Sequence, residues 1–273
     1  IQKYYSDGYI NNNFLGREDT GKFDEMNVKT NISWNLSNKN NLKLTLLHID
    51  SDNGYDAFSL GSKDFNTQSD QPGYDRQKIN GFGLTNTMQI SHDLTIETKF
   101  TNLDINLDYG LDEDWTDESI CVPQNVTCNW GSFKGFDRYQ RDRGDRNFDI
   151  RLIGKKFLAG VYSQNQNTNL DRNRTGTYPA ALGSDYYIQR RAIYSQWEPK
   201  ITSEIDLLLG IRLENFSDNY NDNNIRRKTS DNLYSFESGV NLSLDDSMIS
   251  LLISRSIKPG GVNTDATSNI DLV

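Results

Sequence analysis

Apolar and polar residues alternate with a period of two along much of this chain. In residues 26–36 every second position is apolar except Thr30, and asparagine, lysine and serine fill the positions between. The same period runs through residues 82–90, 205–213 and 234–242. Successive side chains of a β-strand point to opposite sides of its sheet, so this period predicts strands with one apolar and one polar face.

The connections between the predicted strands alternate in length. Short polar turns are expected at residues 37–40, 91–93, 154–156, 198–203 and 243–246, and long polar loops at residues 15–24, 51–75, 110–145, 165–185 and 217–231. An outer-membrane barrel has short turns on its periplasmic side and longer loops outside. The alternation therefore predicts the wall of an antiparallel transmembrane β-barrel with two unlike rims.

The cost of placing charge in lipid predicts which face is which. A lysine on the lipid side near the midplane costs about 2 to 4 kcal/mol, so Lys29 is expected to face the lumen and its apolar neighbours the lipid. In residues 103–109 the polar members of the alternation, Asp104, Asn106 and Asp108, are likewise expected to face the lumen. Residues 186–197 carry an arginine at positions of both parities, so the pattern leaves the two faces of this strand unassigned.

The strand count predicts an incomplete barrel. With residues 2–14 as the first strand, and with weaker alternating segments at 42–49, 94–109, 146–153, 157–164 and 248–257, the chain is expected to form about eleven strands. An open sheet in lipid would leave unpaired backbone groups that cost several kcal/mol each. We therefore expect residues 1–273 to be one all-β domain that is part of a larger barrel.

Composition agrees with this fold class. The 273 residues are 35% hydrophobic, the formal net charge is −9 and the mean hydropathy is −0.73. Only every second residue of a barrel strand has to be apolar, so a low mean hydropathy is compatible with a membrane wall. No stretch approaches the 18 consecutive apolar residues of a transmembrane helix. The negative charge argues against a nucleic-acid partner, which would favour a basic surface.

The two cysteines, Cys121 and Cys128, lie close together in the longest expected loop. A disulfide in an oxidising compartment is favoured over two free thiols. A zinc site would need two more ligands nearby, and the chain has only His48 and His92. The pair is therefore expected to be a structural clip, with free thiols as the alternative.

Patterns for metal binding and catalysis are weak. Asp104, Asn106, Asp108 and Asp112 echo the alternating ligands of a calcium loop, but its sixth position is Tyr109 instead of glycine. The acidic run at residues 112–118 is expected to be a solvated loop, with a cationic ligand or divalent ions bridging lipopolysaccharide as alternatives. No nucleophile elbow, paired-histidine site or phosphate-cradling loop occurs. We expect no enzyme activity, no cofactor and no metal site.

The binding candidates are aromatic and arginine residues of the long loops, because concave sites favour aromatic linings with a few polar anchors. The set is Tyr55, Phe58, Trp115, Trp130, Phe133, Tyr139, Arg141 and Tyr178. Arg138, Arg143 and Arg146 could join Arg141 in pairing with an anionic metal chelate, or could balance the acidic run that precedes them. Packing of loop against loop is the alternative role for each aromatic residue.

Several short motifs carry a family resemblance. The sequence Ser-Arg-Ser-Ile-Lys-Pro-Gly-Gly-Val-Asn at 254–263 resembles a strand and loop motif of TonB-dependent outer-membrane receptors, matched at Lys258, Gly260, Gly261 and Asn263. Residues 210–214, Gly-Ile-Arg-Leu-Glu, resemble another strand of that family, and residues 6–8, 24–34, 54–58 and 69–73 resemble segments of its receptors for iron complexes. The departures Leu213, Ser256, Ile257 and Val262 concern barrel packing and leave the ligand open.

The resemblance implies an active importer in the outer membrane. It implies a barrel of 22 strands, of which this chain would supply one half, and a plug domain through which the energy-transducing protein TonB acts; neither the plug nor the C-terminal strands are expected within this chain. The implied cargo is a ferric siderophore or another iron complex, and the implied surroundings are outer-membrane lipid and lipopolysaccharide, with the protein as a monomer. A passive porin-like barrel and a soluble all-β adhesin or glycan-binding module are the alternatives.

Overall fold

A computed structural model describes residues 1–58, 65–117, 135–176, 179–222 and 224–262. Within these residues the regular structure consists of strands. The long strands are β1 (Gln2–Ser6), β3 (Phe23–Ser37), β4 (Asn40–Tyr55), β6 (Gly73–Ser91), β7 (Leu94–Asp112), β8 (Phe136–Gly154), β9 (Phe157–Arg174), β10 (Ala180–Trp197), β11 (Ile205–Asp222), β12 (Arg226–Leu244) and β13 (Ser247–Arg255). Two short strands, β2 (Asn11–Asn12) and β5 (Asn66–Thr67), lie in the loops.

The long strands form one antiparallel sheet in which each strand pairs with its neighbour in the chain. The sheet has eleven strands in the order β1-β3-β4-β6-β7-β8-β9-β10-β11-β12-β13, which confirms the expected number and the all-β class. The sheet is open, because β1 and β13 each have one neighbour. The first strand is shorter than expected: it ends at Ser6, and residues 11–12 pair instead with β5 in a separate parallel ribbon. No helix of the described residues is long and apolar enough to cross a membrane.

The short turns lie where the sequence predicts them, but two expected long loops are mostly strand, and the loop expected at 110–145 is shorter because β8 begins at Phe136. The loop expected at 165–185 is mostly paired, because β9 continues to Arg174 and β10 begins at Ala180. The loop expected at 217–231 is also mostly paired, since β11 reaches Asp222 and β12 begins at Arg226. Apolar residues are isolated in these extensions, as at Leu170, Leu182 and Tyr220, so the sequence shows no run of alternation there, while backbone pairing needs no such run. Apart from the connection between β1 and β3, the long connections between neighbouring strands of the sheet are residues 56–72 and 113–135.

The register separates the two faces of the sheet. Ile32, Leu44, Leu84, Phe100 and Phe148 are cross-strand partners in one row, and we call the face that carries them the outer face. The opposite face is the inner face. It carries the buried apolar side chains of the described strands, which are Leu170, Leu182, Ala192, Phe216 and Tyr220. Lys29 lies on the inner face, as expected from the cost of a charge in lipid.

The register also assigns the faces of β10, which the sequence leaves open. Arg190 is paired with Gln164 and Phe216 and lies on the inner face. Arg191 is paired with Ser163 and Asn215 and lies on the outer face. Because neighbouring residues of a strand face opposite ways, two adjacent arginines are separated by the whole thickness of the wall.

The expected orientation of residues 103–109 is wrong. Asp104, Asn106 and Asp108 share the outer face with Phe100, and the apolar residues between them face inward. In β7 the outer face carries Leu94, Ile96, Thr98 and Phe100 and is polar from Asn102 to Asp108, while the strand continues without a bulge against β8. At this point the apolar residues change from the outer to the inner face and the polar residues from the inner to the outer face. A period of two predicts the strand, but it does not predict which surroundings each face meets.

Candidate ligand-binding wall

A chain of aromatic rings lines the inner face at the long-loop end of the sheet. Tyr55 at the end of β4 contacts both Phe58 and Tyr109, with ring centroids 5.9 and 5.3 Å away. Phe58 contacts Trp115 at 5.5 Å, and Tyr109 contacts Tyr139 on β8 at 6.2 Å. Phe58 and Trp115 remain 49% and 39% exposed. Four of the aromatic residues that the sequence selects are therefore brought into one continuous surface, called here the aromatic chain.

An arginine and a carboxylate fix the β8 end of the aromatic chain. The Arg172 guanidinium lies 4.6 Å from the centroid of the Tyr139 ring. It also donates to the buried Asp137, from Nε at 3.0 Å and from Nη2 at 2.6 Å, and the Tyr139 hydroxyl donates to the same carboxylate at 3.2 Å. A bidentate arginine–carboxylate pair is geometrically restrictive, so the Tyr139 ring is held in place. Sequence reasoning missed Tyr109 and Arg172, which only the register places beside Tyr139.

The loop that presents Trp115 is organised by Asp112, the last residue of β7. Asp112 Oδ1 accepts hydrogen bonds from the backbone amides of Asp114 at 3.1 Å and Trp115 at 3.3 Å, and Oδ2 accepts one from the Ser69 hydroxyl. Trp115 adopts a left-handed backbone conformation with φ of 58°. The buried Asp112 carboxylate thus ties residues 113–117 to the loop that contains Ser69.

Burial also changes the protonation of Asp112. It lies at the loop end of its strand, beyond the apolar part of the outer face, and burial raises its pKa to about 7 although the hydrogen bond from Ser69 opposes this change. Burial raises the pKa of Asp114 as well. Carboxylate oxygens of Asp70, Asp112 and Asp114 all lie within 4.8 Å of one another, and hard divalent cations bind oxygen atoms in such groups.

The four arginines proposed as an anion-binding group are divided between the two faces. Arg138 and Arg146 lie on the outer face, where Arg138 forms a bidentate pair with Asp108 and the Nε atom of Arg146 donates to Asn102 at 3.1 Å. Arg141 and Arg143 lie on the inner face, and Arg143 pairs with Asp145 at 3.3 Å. The two pairs cannot approach one ligand together, because the sheet separates them.

Other predicted residues fall in two places. Trp130, Phe133, Tyr178, Cys121, Cys128 and Asn263 lie outside the described residues. Lys258, Gly260 and Gly261 follow β13 in a segment without regular secondary structure. At its end the buried Val262 packs with Tyr220 and Tyr186 of the inner face. At Val262 the motif therefore contacts the inner face of the sheet.

Paired charges cover the inner face nearer the short turns. Arg151 lies 2.8 Å from Asp149 and 3.4 Å from Glu97, and the Tyr194 hydroxyl donates to Asp149 at 2.6 Å. Arg212 pairs with Glu214 and lies over the rings of Tyr162 and Tyr194. Charges of both signs thus neutralise each other between β7 and β11, as buried or half-buried charges require.

Comparison with known proteins places the fold. No protein-family model and no curated protein matches the sequence. Among solved structures, the ferric yersiniabactin uptake receptor FyuA from Yersinia pestis matches with a TM-score of 0.71 and 16% identity, over 98% of this chain and 43% of FyuA. The siderophore receptor PiuA from Acinetobacter baumannii matches with a TM-score of 0.63 and 13% identity, over 81% of this chain and 40% of PiuA.

A third match has a different metal in its name. The copper transporter OprC matches with a TM-score of 0.56 and 13% identity, over 91% of this chain and 38% of OprC. The chain spans about two fifths of the length of these solved structures. At such low identities the matches establish the fold alone: the eleven strands form a sheet like the barrel part of outer-membrane transport receptors.

Proposed function

We propose that this chain is part of the wall of a TonB-energised outer-membrane receptor that imports a ferric siderophore or another iron complex. The observation that carries the proposal is the match of 98% of the chain to a ferric yersiniabactin uptake receptor. The family resemblance of the sequence, on Lys258, Gly260 and Gly261 among other residues, supports the same conclusion independently of the fold.

The outer face supports a position in the outer membrane. Its apolar residues are exposed on β3, β4, β6 and β8 to β13, for example Leu84, Val161 and Ile211 at 38%, 46% and 53%, and half-buried on β7. A continuous band of exposed apolar side chains on a soluble protein would be an aggregation hazard, whereas lipid is its natural solvent. The soluble adhesin is therefore disfavoured.

The domain proposal follows from the open edges of the sheet. A strand edge in lipid leaves backbone amides and carbonyls unpaired, and only a closed barrel removes this cost. We propose that the described sheet is part of one barrel domain, that further strands of the same protein close it between β13 and β1, and that a plug domain of that protein contacts TonB.

The aromatic chain supports a role in ligand capture at the loop end. It is partly exposed and held by the Arg172–Asp137 pair, which are properties of a preorganised binding surface. We propose that Tyr55, Phe58, Trp115 and Tyr139 contact the chelate. Arg143 and Arg172 both have carboxylate partners, so an anionic chelate would have to compete with these ion pairs.

Uptake by cells tests the function. Cells that express the full-length protein, cells without its gene and cells without TonB would be given iron-55 bound to catecholate, hydroxamate or citrate chelators, with a copper complex as a separate arm. We expect at least one iron complex to enter only when both the gene and TonB are present. Equal entry without TonB would identify a passive barrel, and gene-dependent entry of copper alone would remove iron from the proposal.

A further inference from the structure

The arginines nearest the aromatic chain are already paired with carboxylates. Strands β8 and β9 place four arginines on the inner face in the half nearer the loops, and three of them form ion pairs with described residues. The pairs are Arg143 with Asp145 at 3.3 Å, Arg172 with Asp137 at 2.6 Å and Arg174 with Glu113 at 2.7 Å. Because each guanidinium has a carboxylate partner, these pairs add no net positive charge to the surroundings of the rings.

Two further carboxylates lie beside the tyrosines of the aromatic chain. Asp56 directly follows Tyr55 and accepts a hydrogen bond from the Asn12 amide at 2.9 Å, a neutral donor. Asp75 is paired with Tyr109 across β6 and β7. Neither carboxylate forms an ion pair with a lysine or arginine of the described residues. Both therefore contribute negative charge to this part of the inner face.

The loop that presents Trp115 carries negative charge and no positive charge. Residues 112–117 contain four acidic residues and neither lysine nor arginine. Asp70, in the loop tied to it, has a carboxylate oxygen within 4.8 Å of those of Asp112 and Asp114. The exposed ring of Trp115 therefore belongs to a loop region rich in carboxyl groups.

The excess of negative charge does not depend on the protonation of one residue. Burial raises the pKa of Asp112 to about 7 and that of Asp114 as well, yet the remaining carboxylates still outnumber the fourth arginine, Arg141. The segments 59–64 and 118–134, outside the described residues, each contain one lysine and one acidic residue, so they leave the net charge unchanged. The surroundings of the aromatic chain thus have a net negative charge.

The exposed rings of the aromatic chain favour a cation for a separate reason. The face of an aromatic ring is negative, and a cation placed over it is attracted. The ring of Tyr139 already has such a cation, because the Arg172 guanidinium lies 4.6 Å from its centroid. Phe58 and Trp115 are exposed, and no lysine or arginine of the described residues lies over their rings. These two faces are open to a cationic group of a ligand.

We propose that the aromatic chain selects iron complexes without net negative charge and binds a cationic complex most tightly. Hydroxamate chelators form such complexes: three hydroxamates balance the charge of Fe³⁺, and a pendant ammonium group makes the complex cationic. Three catecholates leave an excess of three negative charges on the same ion. A catecholate complex would be repelled by the carboxylates and would have to displace one of them from an arginine. This inference rests on the proposed function, because it names the class of cargo at the same site.

Binding to the full-length protein, purified in a non-ionic detergent, tests the inference. The central comparison uses the ferric complexes of a linear trihydroxamate that carries a free amine and of the same chelator acetylated at that amine. These two complexes differ by one charge and have nearly the same shape. A ferric tris-catecholate is the anionic probe. Quenching of tryptophan fluorescence measures each dissociation constant at low and at high salt.

We expect the ammonium-bearing complex to bind about three- to tenfold more tightly than its acetylated form at low salt, as one unit charge near several carboxylates should cause. Salt screens this interaction, so the difference should decrease at high salt. The catecholate complex should bind most weakly. D75N is expected to reduce the preference for the ammonium-bearing complex about twofold. D246N removes a charge in the turn between β12 and β13, at the other end of the sheet, and should leave the preference unchanged.

Four results would overturn the inference: tightest binding of the catecholate complex, equal affinities of the two trihydroxamate complexes, a preference that does not change with salt, or equal effects of D75N and D246N. Uptake by cells separates it from the proposed function. TonB-dependent entry of the catecholate complex alone would leave the transporter in place and remove the selection by charge. Entry of every complex without the gene would remove the transport function itself.

Discussion

The two halves of β7 have the same backbone pairing and opposite surfaces. From Leu94 to Phe100 the outer face is apolar except for Thr98, and the inner face carries Glu97 and Lys99, which pair with each other at 3.0 Å. From Asn102 to Asp108 the outer face is polar and the inner face carries Leu103, Ile105 and Leu107. The polarity of the two faces thus exchanges along one strand, as expected if its two halves meet different solvents.

Alternation along a strand and the orientation of its two faces are therefore separate pieces of information. Alternation arises because side chains of a strand point to opposite faces, which holds in lipid and in water. Orientation depends on what each face contacts, and in the loop-end half the outer face meets water or lipid headgroups while the inner face holds the aromatic chain. The apolar half and the loop-end half of the sheet should therefore respond differently to the same kind of change.

The largest expected effect is that of a charge on the outer face. Leu209→Arg places a charge in the apolar half of β11, and Asn219→Arg places it in the polar half of the same strand and face. Leu209→Arg is expected to lower the free energy of unfolding by about 2 to 4 kcal/mol, and Asn219→Arg by about 0 to 1 kcal/mol. Denaturant titration of the full-length protein in lipid vesicles measures both. Equal losses would mean that the outer face does not meet two solvents.

A smaller effect is expected where Asp112 supports the loop end. Asp112→Ala removes the acceptor of the Ser69 hydroxyl and of the amides of Asp114 and Trp115. Donors left unsatisfied cost about 1 to 3 kcal/mol, and the loss is confined to the loop. Hydrogen exchange of residues 113–117 in the full-length protein is expected to become faster, with exchange in the apolar half of β7 unchanged. Unaltered exchange at both amides would show that Asp112 does not organise this loop.

The same carboxyl predicts a pH dependence that is confined to the loop end. Because burial raises the pKa of Asp112 to about 7, the folded loop retains a proton that the open loop releases between about pH 4 and 7. The free energy of opening the loop should therefore fall as pH rises across this range and level off above it. Exchange of the same amides, corrected for intrinsic rates, measures the slope.

Asp112→Asn is the control for this pH dependence. It keeps one acceptor oxygen and cannot ionise, so the slope should decrease, with Asp114 retaining part of it because its pKa is raised as well. Identical slopes in the wild type and in Asp112→Asn would contradict the assignment.

The smallest expected effect distinguishes the two halves of the inner face. Tyr139→Leu removes a ring from the aromatic chain, and Tyr162→Leu removes one beneath Arg212 in the half nearer the turns. Loss of one aromatic contact is worth about 0.5 to 1.5 kcal/mol, so Tyr139→Leu is expected to weaken binding of the iron complex with the largest TonB-dependent uptake about two- to tenfold. Tyr162→Leu should leave that affinity unchanged. Equal losses would argue against a binding role specific to the aromatic chain.

The sequence predicts the wall well where the two faces of a strand differ in polarity. Residues 205–213 and 234–242 alternate clearly, and both lie in strands with the predicted faces. The extensions at 165–174 and 217–222 are predicted to be loops because each has a single large apolar residue, Leu170 and Tyr220, and no alternation. Paired backbone amides and carbonyls stabilise such strands without an alternating pattern, and the sequence carries no record of that pairing.

The candidate site divides in the same way. Aromatic residues near the long loops identify Tyr55, Phe58, Trp115 and Tyr139, and the structure brings these together. Tyr109 joins them only because β7 and β8 are in a register that places it beside Tyr139. The four arginines near the same loop are close in sequence, but their positions along β8 place two on each face.

The sequence alone specifies the all-β class of this protein, through strands of period two, short turns at one end and, on many strands, one apolar face opposite a polar one. These are local properties, because they depend on the side chains of one segment and on the cost of moving them between solvents. The register between strands decided the rest, including the direction of Asp104, the separation of Arg190 from Arg191 and the junction of Trp115 with Tyr55. A shift of one residue in register moves every side chain of a strand to the other face, so no single segment contains that information.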